Sequence, residues 1–280
     1  WVWADLGESP LAFALQHLAR LAELTGNLRS GGTLAAQAER YTREDWKVDD
    51  AIIGALAQIE RQEDRAAITA AIRALSRAWL EALATAFQQT WLESPPEQEK
   101  KTQKPSQGEI LFFIDGLRMD LGHRLQEHLT GAGCTCSLTH RFAALPSITE
   151  TAKPAVMPIA GELVAGKNFV PATRTGAVAQ ISALRTLLRE HDIQVLGDND
   201  DGDPQGMAWT EFGNIDREGH DKGSDLAKLL ESELAAIERR ITGLLDAGWR
   251  QIRIVTDHGW LLMPGGLVKT ELPPSLVTVK

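Results

Sequence analysis

Three aspartates, each just past an expected strand, carry the chemistry this sequence offers. Asp115-Gly116 follows Ile110–Ile114, and Asp257-His258-Gly259 follows the run that starts at Ile252. Asp216-Arg-Glu-Gly-His220 follows Ala208–Ile215. Between the first and third of these in space-filling order of the chain, Leu145-Pro-Ser-Ile-Thr-Glu-Thr151 sets hydroxyls, Thr149 among them, at an expected helix start. Carboxylate oxygens together with imidazole nitrogens are a ligand set for Zn²⁺ or Mn²⁺. Asp216 and His220 stand four residues apart, which puts both on one side of a helical turn. Asp257 and His258 are adjacent, and a turn at Gly259 lets both reach one ion or each address a different one. These five groups exceed what an open zinc site takes from a protein, so two ions is the natural count. Two ions ~4 Å apart can clamp the attacking and leaving oxygens of an in-line phosphoryl displacement. Thr149 would be the nucleophile, its alkoxide favoured by a metal and its helix's free N–H groups facing the phosphate. A phosphothreonine intermediate would then be hydrolysed.

Each piece also has a structural reading. Asp115-Gly116 suits a turn after a strand. Asp216 and His220 suit a helix cap with a surface histidine. Thr149 suits an N-cap, a role for which Thr139, Ser147 and Thr151 compete. Asp257-His258-Gly259 is the most telling, because adjacent ionisable groups after a buried strand rarely only cap it. His17, His123, His128, His140 and His191 read as core or surface residues. Asp198–Asp203 fails the register of an EF-hand calcium loop, since Gly197 stands five residues before Gly202, and reads as a solvated acidic loop.

The elements that must position these groups fall into two kinds. Residues 1–93 read as helical. Ser9-Pro10 makes an N-cap and first turn before Leu11, Ala14, Leu15, Leu18, Leu21 and Leu24, with Gly26 as a stop. A second helix is expected around Ile52, Leu56 and Ile59, and a long one from Asp64 to Leu92. Residues 94–108 are polar and proline-punctuated, a linker or exposed loop. From 109 to 280 strands and helices alternate. Strands are expected at Ile110–Ile114, near Cys136–Leu138, at Gln194–Leu196 and from Ile252 to Thr256. Helices are expected at Leu117–Leu129, from Thr149, at Ala177–Glu190 and at Asp225–Asp246, and a hairpin is expected to begin at Trp260–Met263 with Gly265-Gly266. The alternation predicts an α/β fold, a mostly parallel sheet with helices on both faces.

Composition sets the outer bounds. The 280 residues carry 29 Lys+Arg against 38 Asp+Glu, a net charge of −9 that argues against a broad basic surface for duplex DNA. Hydrophobic residues at 43% exclude wholesale disorder. No run of 18 residues is free of charge, so no membrane-spanning helix is expected. Cys134 and Cys136 cannot make a disulfide framework or a four-ligand zinc site, and read as two core thiols in a reducing, cytoplasmic setting. No signal-peptide pattern follows Trp1, and the closing residues from Glu271 look like a strand being entered, so a fragment of a longer protein is expected.

The ordered set Phe112-Phe-Ile-Asp-Gly-Leu-Arg-Met-Asp120, Leu145–Thr151, Asp216–His220 and Ile254-Val-Thr-Asp-His-Gly259 resembles the PglZ domain of the alkaline phosphatase superfamily. The resemblance runs from about residue 109 to the end. Trp1-Val-Trp-Ala-Asp-Leu-Gly7 and the helices after it resemble the region preceding that domain in PglZ proteins of bacterial BREX phage-defence systems. The resemblance implies an alkaline-phosphatase-like sheet, with Asp115, Thr149, Asp257 and His258 around one metal and Asp216 and His220 on the other. It implies two divalent ions, zinc first, with manganese or magnesium as alternatives. The superfamily completes the second site with a further histidine downstream, and none follows His258 here. The expectation is a chain cut before that ligand, or else a degenerate site. Lys153 stands where phosphodiesterase relatives tend to have Asn or His, so monoester and diester substrates both stay open. The function implied is a cytoplasmic metal-dependent phosphoesterase of a phage-defence system. Its substrate would be a phosphate ester, with nucleotides and nucleic acid among the candidates, and its partners other BREX proteins. The alternative is a degenerate scaffold whose helical third docks partners, and a two-metal phosphate mutase is a third class.

Overall fold

The computed structural model describes residues 2–266 apart from 7, 10, 28–29 and 96–101. The helical part holds α1 (Val2–Asp5), α2 (Leu11–Gly26), α3 (Leu34–Arg40), α4 (Trp46–Ala57) and α5 (Gln62–Glu93). A π turn, Tyr41–Asp45, joins α3 to α4 without a break. The remainder runs β1 (Glu109–Phe113), α6 (Met119–Gly131), α7 (Thr149–Val156), β2 (Leu163–Val164), β3 (Ala172–Thr173) and α8 (Ile181–Glu190). It continues through β4 (Ile193–Leu196), β5 (Met207–Glu211), α9 (Ile215–Lys222), α10 (Leu230–Asp246) and β6 (Gln251–Val255).

The strand β1 shows why the sheet forms. Its apolar run has no polar face, so it must be covered on both sides. Ile110, Phe112 and Ile114 enter one core with Leu121 and Leu125 of α6 and Ile237 and Ile241 of α10. Leu111 and Phe113 enter the other, with Trp209 of β5, Val156 of α7 and Leu184 and Leu188 of α8. The sheet order is β4-β5-β1-β6, and every neighbouring pair is parallel. This bears out the α/β class and the helices on both faces. β1 lies inside the sheet, with later strands on either side, so its carboxyl end is a point where ligands enter such folds.

The helical third does not stand apart. Ala14, Leu18 and Leu21 of α2, Ile52 and Ile53 of α4, and Ile68 and Ile72 of α5 belong to the same apolar cluster as Phe112 and Leu121. The end of the linker is also pinned. Arg253 donates to Glu109 Oε1 (2.7 Å) and to the carbonyls of Gln103 and Lys104, and Ser106 N donates to Glu109 Oε2 (2.7 Å).

Several expectations need correction. Cys136–Leu138 is not a strand: burial alternates from Cys134 to Leu138, but the segment joins no ladder among the described residues. Its half-buried cysteines pack against the core without a partner strand. No hairpin follows Trp260 among the described residues; Pro264-Gly265 is a turn held by Arg73, which donates to the carbonyls of Pro264 and Gly266. The helix expected from Ala177 begins at Ile181, because Thr173 N bonds Ala177 O and Val178 bridges Ala172, closing the small β2–β3 ribbon. The one expected from Asp225 begins at Leu230 after a 3₁₀ turn, in which Asp225 binds Arg65 at 2.5 Å. Ile59 is buried but lies past the end of α4. Both α1 and α3 lack the long periodicity that reveals a helix; α3 is announced only by Thr33, whose hydroxyl accepts from Ala36 N. The Ser9-Pro10 cap and the closing residues from Glu271 fall at least partly outside the described residues.

One buried charge cluster joins the layers. The Arg118 side chain is 6% exposed and forks onto Asp120 through Nε and Nη2, both at 2.6 Å. Its Nη1 lies 3.7 Å from Asp49 of α4, whose other oxygen accepts from Tyr41 at 2.5 Å. Burial pushes both the Asp49 carboxyl and the Tyr41 phenol above their ordinary ranges. Removing one partner of such a pair strands a desolvated charge, which costs about 3–5 kcal/mol. Asp120→Ala should lower the unfolding free energy by about that amount, read as a reduced urea midpoint with an unchanged slope.

Candidate metal centre

Three loops leave the carboxyl ends of adjacent strands and converge. Asp115 is two residues past β1, Asp257 and His258 follow β6, and Asp216 lies in the first turn of α9 beyond β5. Thr149 arrives as the first residue of α7, from the opposite face of the sheet. The loops are stitched to one another. Leu117 N donates to Thr256 Oγ1 (3.0 Å), Gly116 N to Asp257 Oδ1 (3.5 Å), and Trp260 Nε1 to Gly116 O (2.8 Å). Gly116 is required twice over. Its φ of +68° is a conformation L side chains rarely adopt, and a Cβ there would stand 3.2 Å from Asp216 Cβ.

The functional atoms are close. Thr149 Oγ1 lies 3.1 Å from His258 Nε2 and 3.5 Å from Asp115 Oδ1. His258 Nε2 is 3.5 Å from Asp115 Oδ1 and 3.7 Å from Asp257 Oδ2. Asp115, Asp216 and His258 each offer an atom within 4.8 Å of the others, a spacing that suits one cation between them. His258 Nδ1 faces Gly259 O at 3.2 Å, so its proton belongs there and the lone pair of Nε2 is aimed into the site.

Electrostatics point the same way. Asp257 is 2% exposed; its Oδ1 accepts from the backbone of His258 (3.0 Å), while its buried Oδ2 has no hydrogen-bond partner among the described residues. Burial raises its carboxyl pKa above the ordinary range. Asp115 is pushed up to about 6, first by burial and then by the charges of Asp257 and Asp216. An orphaned buried carboxylate oxygen among like charges is costly without a counter-ion. The residues present therefore fit a divalent cation.

The structure gathers Asp115, Thr149, Asp216, Asp257 and His258. His220 is different: its Nε2 is 3.5 Å from Asp216 Oδ2, as the four-residue spacing requires, but its side chain is 81% exposed at the rim. Among the competing hydroxyls, Thr151 donates to Phe169 O at 2.7 Å, and Ser147 and Thr139 are exposed. Lys153, one turn along α7 from Thr149, is paired with Glu211 at 2.7 Å. The acidic loop is structural: Arg240 binds Asp201 Oδ1 (2.7 Å) and Trp249 Nε1 donates to Asp201 O (2.7 Å). Thr256 and Trp260 escaped the sequence reading, because cross-loop hydrogen bonds leave no periodic signal. A cavity of about 770 Å³ opens on Asp257 and His258, bounded by β6, residues 139–143 and side chains of α3 and α5.

Compared with family models, curated proteins and solved structures, the chain matches none.

The raised acid at Asp115 fixes the sign of a pH effect. The folded state keeps this proton up to about pH 6 whereas the unfolded chain releases it near the ordinary value of 3.8, so the metal-free fold loses stability as pH rises through that window. Asp115→Asn should accordingly stabilise the metal-free protein at pH 8 and much less at pH 4, measured by urea unfolding in the presence of a chelator.

Proposed function

We propose that this chain is a metal-dependent phosphoesterase that uses Thr149 as its nucleophile, in keeping with the resemblance to the PglZ domain of the alkaline phosphatase superfamily. The observation that carries the reading is the meeting of Thr149 Oγ1, His258 Nε2 and Asp115 Oδ1 within 3.5 Å at the start of a helix. A phage-defence setting with other BREX proteins, in the cytoplasm, belongs to the same proposal and rests on the resemblance alone.

Asp115, Asp216 and His258 would hold a divalent ion, zinc first among them, with Asp257 beside them supplying a buried negative charge. A second ion would have to use Asp216 with His220. The metal supplies charge neutralisation on the phosphoryl oxygens and favours the ionised form of a nearby hydroxyl. The protein does the rest. The first residues of α7 present backbone N–H groups toward a phosphate, since N-terminal helix donors lack intrahelical partners. Thr149 Oγ1 attacks phosphorus in line and gives up its proton to the carboxylate that faces it, Asp115. The ester alcohol leaves with that proton, handed on by Asp115. Water then attacks the phosphothreonine, releasing phosphate and restoring the hydroxyl.

One observation favours the scaffold alternative: His220 stands exposed at the rim instead of turning inward. Turnover separates the two readings. With a chromogenic phosphomonoester and a diester, Thr149→Ala should keep bound zinc yet lose hydrolysis by at least ~10²-fold, as loss of a nucleophile requires. Asp257→Ala should lose both metal and turnover. Full activity in Thr149→Ala would end the nucleophile assignment, and an inert, metal-loaded wild type would leave the scaffold in front.

A further inference from the structure

The arrangement behind the metal centre is more than packing. The Arg118 guanidinium sits 4.1 Å from the centroid of the Trp260 ring, with Nη1 3.5 Å from Trp260 O. That indole N–H is the donor that reaches Gly116 O at 2.8 Å. Trp260 is two residues past His258, and Gly116 is the residue after Asp115. One side chain thus ties together the two loops that carry these ligands. The guanidinium can serve a ring on its face and carboxylates in its plane at once, which an ammonium cannot. Its in-plane partners are Asp120 on α6 and Asp49 on α4.

We propose that Trp260 and Arg118 are positioning residues of the metal centre at Asp115, Asp216 and His258, and that Asp49 couples the helical layer to that centre. The proposal rests on the metal reading above. Gly116 lies at φ +68° with no side chain to fix it, so the orientation of its following peptide is set by two bonds, Trp260 Nε1 to Gly116 O and Leu117 N to Thr256 Oγ1. If that peptide turns, Leu117 N, which shares its plane, leaves Thr256 Oγ1, and the strain passes through Gly116 to the preceding peptide, whose N–H holds Asp257 Oδ1 and which begins at Asp115. Asp49 bears on the same point from outside the sheet. Its carboxylate, held by Tyr41 of the π turn, helps to seat the guanidinium on which Trp260 lies. By this route the N-terminal third reaches the chemistry without contributing a ligand.

The discriminating variant is Trp260→Phe, which keeps an aromatic ring over Arg118 and removes the N–H to Gly116 O. Zn²⁺ affinity of the full chain would be measured by chelator competition, and ligand geometry by the visible absorption of the Co²⁺-loaded protein. Circular dichroism would set every comparison at the same folded fraction. Trp260→Phe should weaken Zn²⁺ roughly 10-fold, the low end for residues that orient ligands, and should shift the Co²⁺ bands. Asp49→Asn should shift the same bands with a smaller loss of affinity. Zn²⁺ affinity and a Co²⁺ spectrum in Trp260→Phe equal to those of a metal-binding wild type would overturn the positioning role. A wild type that binds neither ion would overturn the metal reading itself, and this inference with it.

Discussion

Carboxylates that repel one another have been brought to the ends of parallel strands and partly withdrawn from water, and much of the remaining architecture serves to keep them there. Asp115, Asp216 and Asp257 would separate in a flexible loop. Here they cannot, because each follows a strand or opens a helix whose own position is fixed by burial. The free energy of that burial is spread over two cores, one on each face of β1, while the electrostatic cost is concentrated in a few atoms. The unpartnered Oδ2 of Asp257 is where that cost is most visible.

The same trade governs the helical layer. Its apolar residues merge with those beneath the sheet, so α4 and α6 are held together by ordinary hydrophobic contact. Into this contact the chain inserts a guanidinium flanked by Asp49 and Asp120. Such a cluster adds little net stability compared with apolar packing, but it tolerates only one relative placement of the groups it joins. Its location directly behind Gly116 and Trp260 makes that selectivity of placement useful to the site.

What the sequence revealed follows from the length scale of each signal. An apolar run that must be buried on both faces marked β1, and with it Asp115; the short stretch from Ile252 to Thr256 marked the strand before the Asp257-His258 pair. Helical periodicity over many turns marked α2 and α5. Around Cys136 burial alternates, but alternation says nothing of whether a partner strand lies alongside, and the expected strand is not formed. The spacing of Asp216 and His220 gave their proximity and could not give the direction in which His220 points. Trp260 was read as the start of a hairpin, whereas its indole is committed to a carbonyl 144 positions away in sequence. Pairings of that kind belong to the tertiary fold alone.

The π turn between α3 and α4 has its own implication for how this chain tolerates change. A π turn is an α-helix carrying one extra residue, and each residue of a regular helix advances the side-chain direction by ~100°. Loss of any single residue from Tyr41–Asp45 could be absorbed as unbroken α-helix, with every backbone hydrogen bond satisfied. The phase would survive as well: the widened turn spends its extra residue on completing one circuit, so α3 keeps its direction relative to α4, and Tyr41, where it is retained, still comes round to the face of Asp49 after about two turns. The extra residue is thus a length change confined to one turn, which the seam between the helical layer and the sheet does not register.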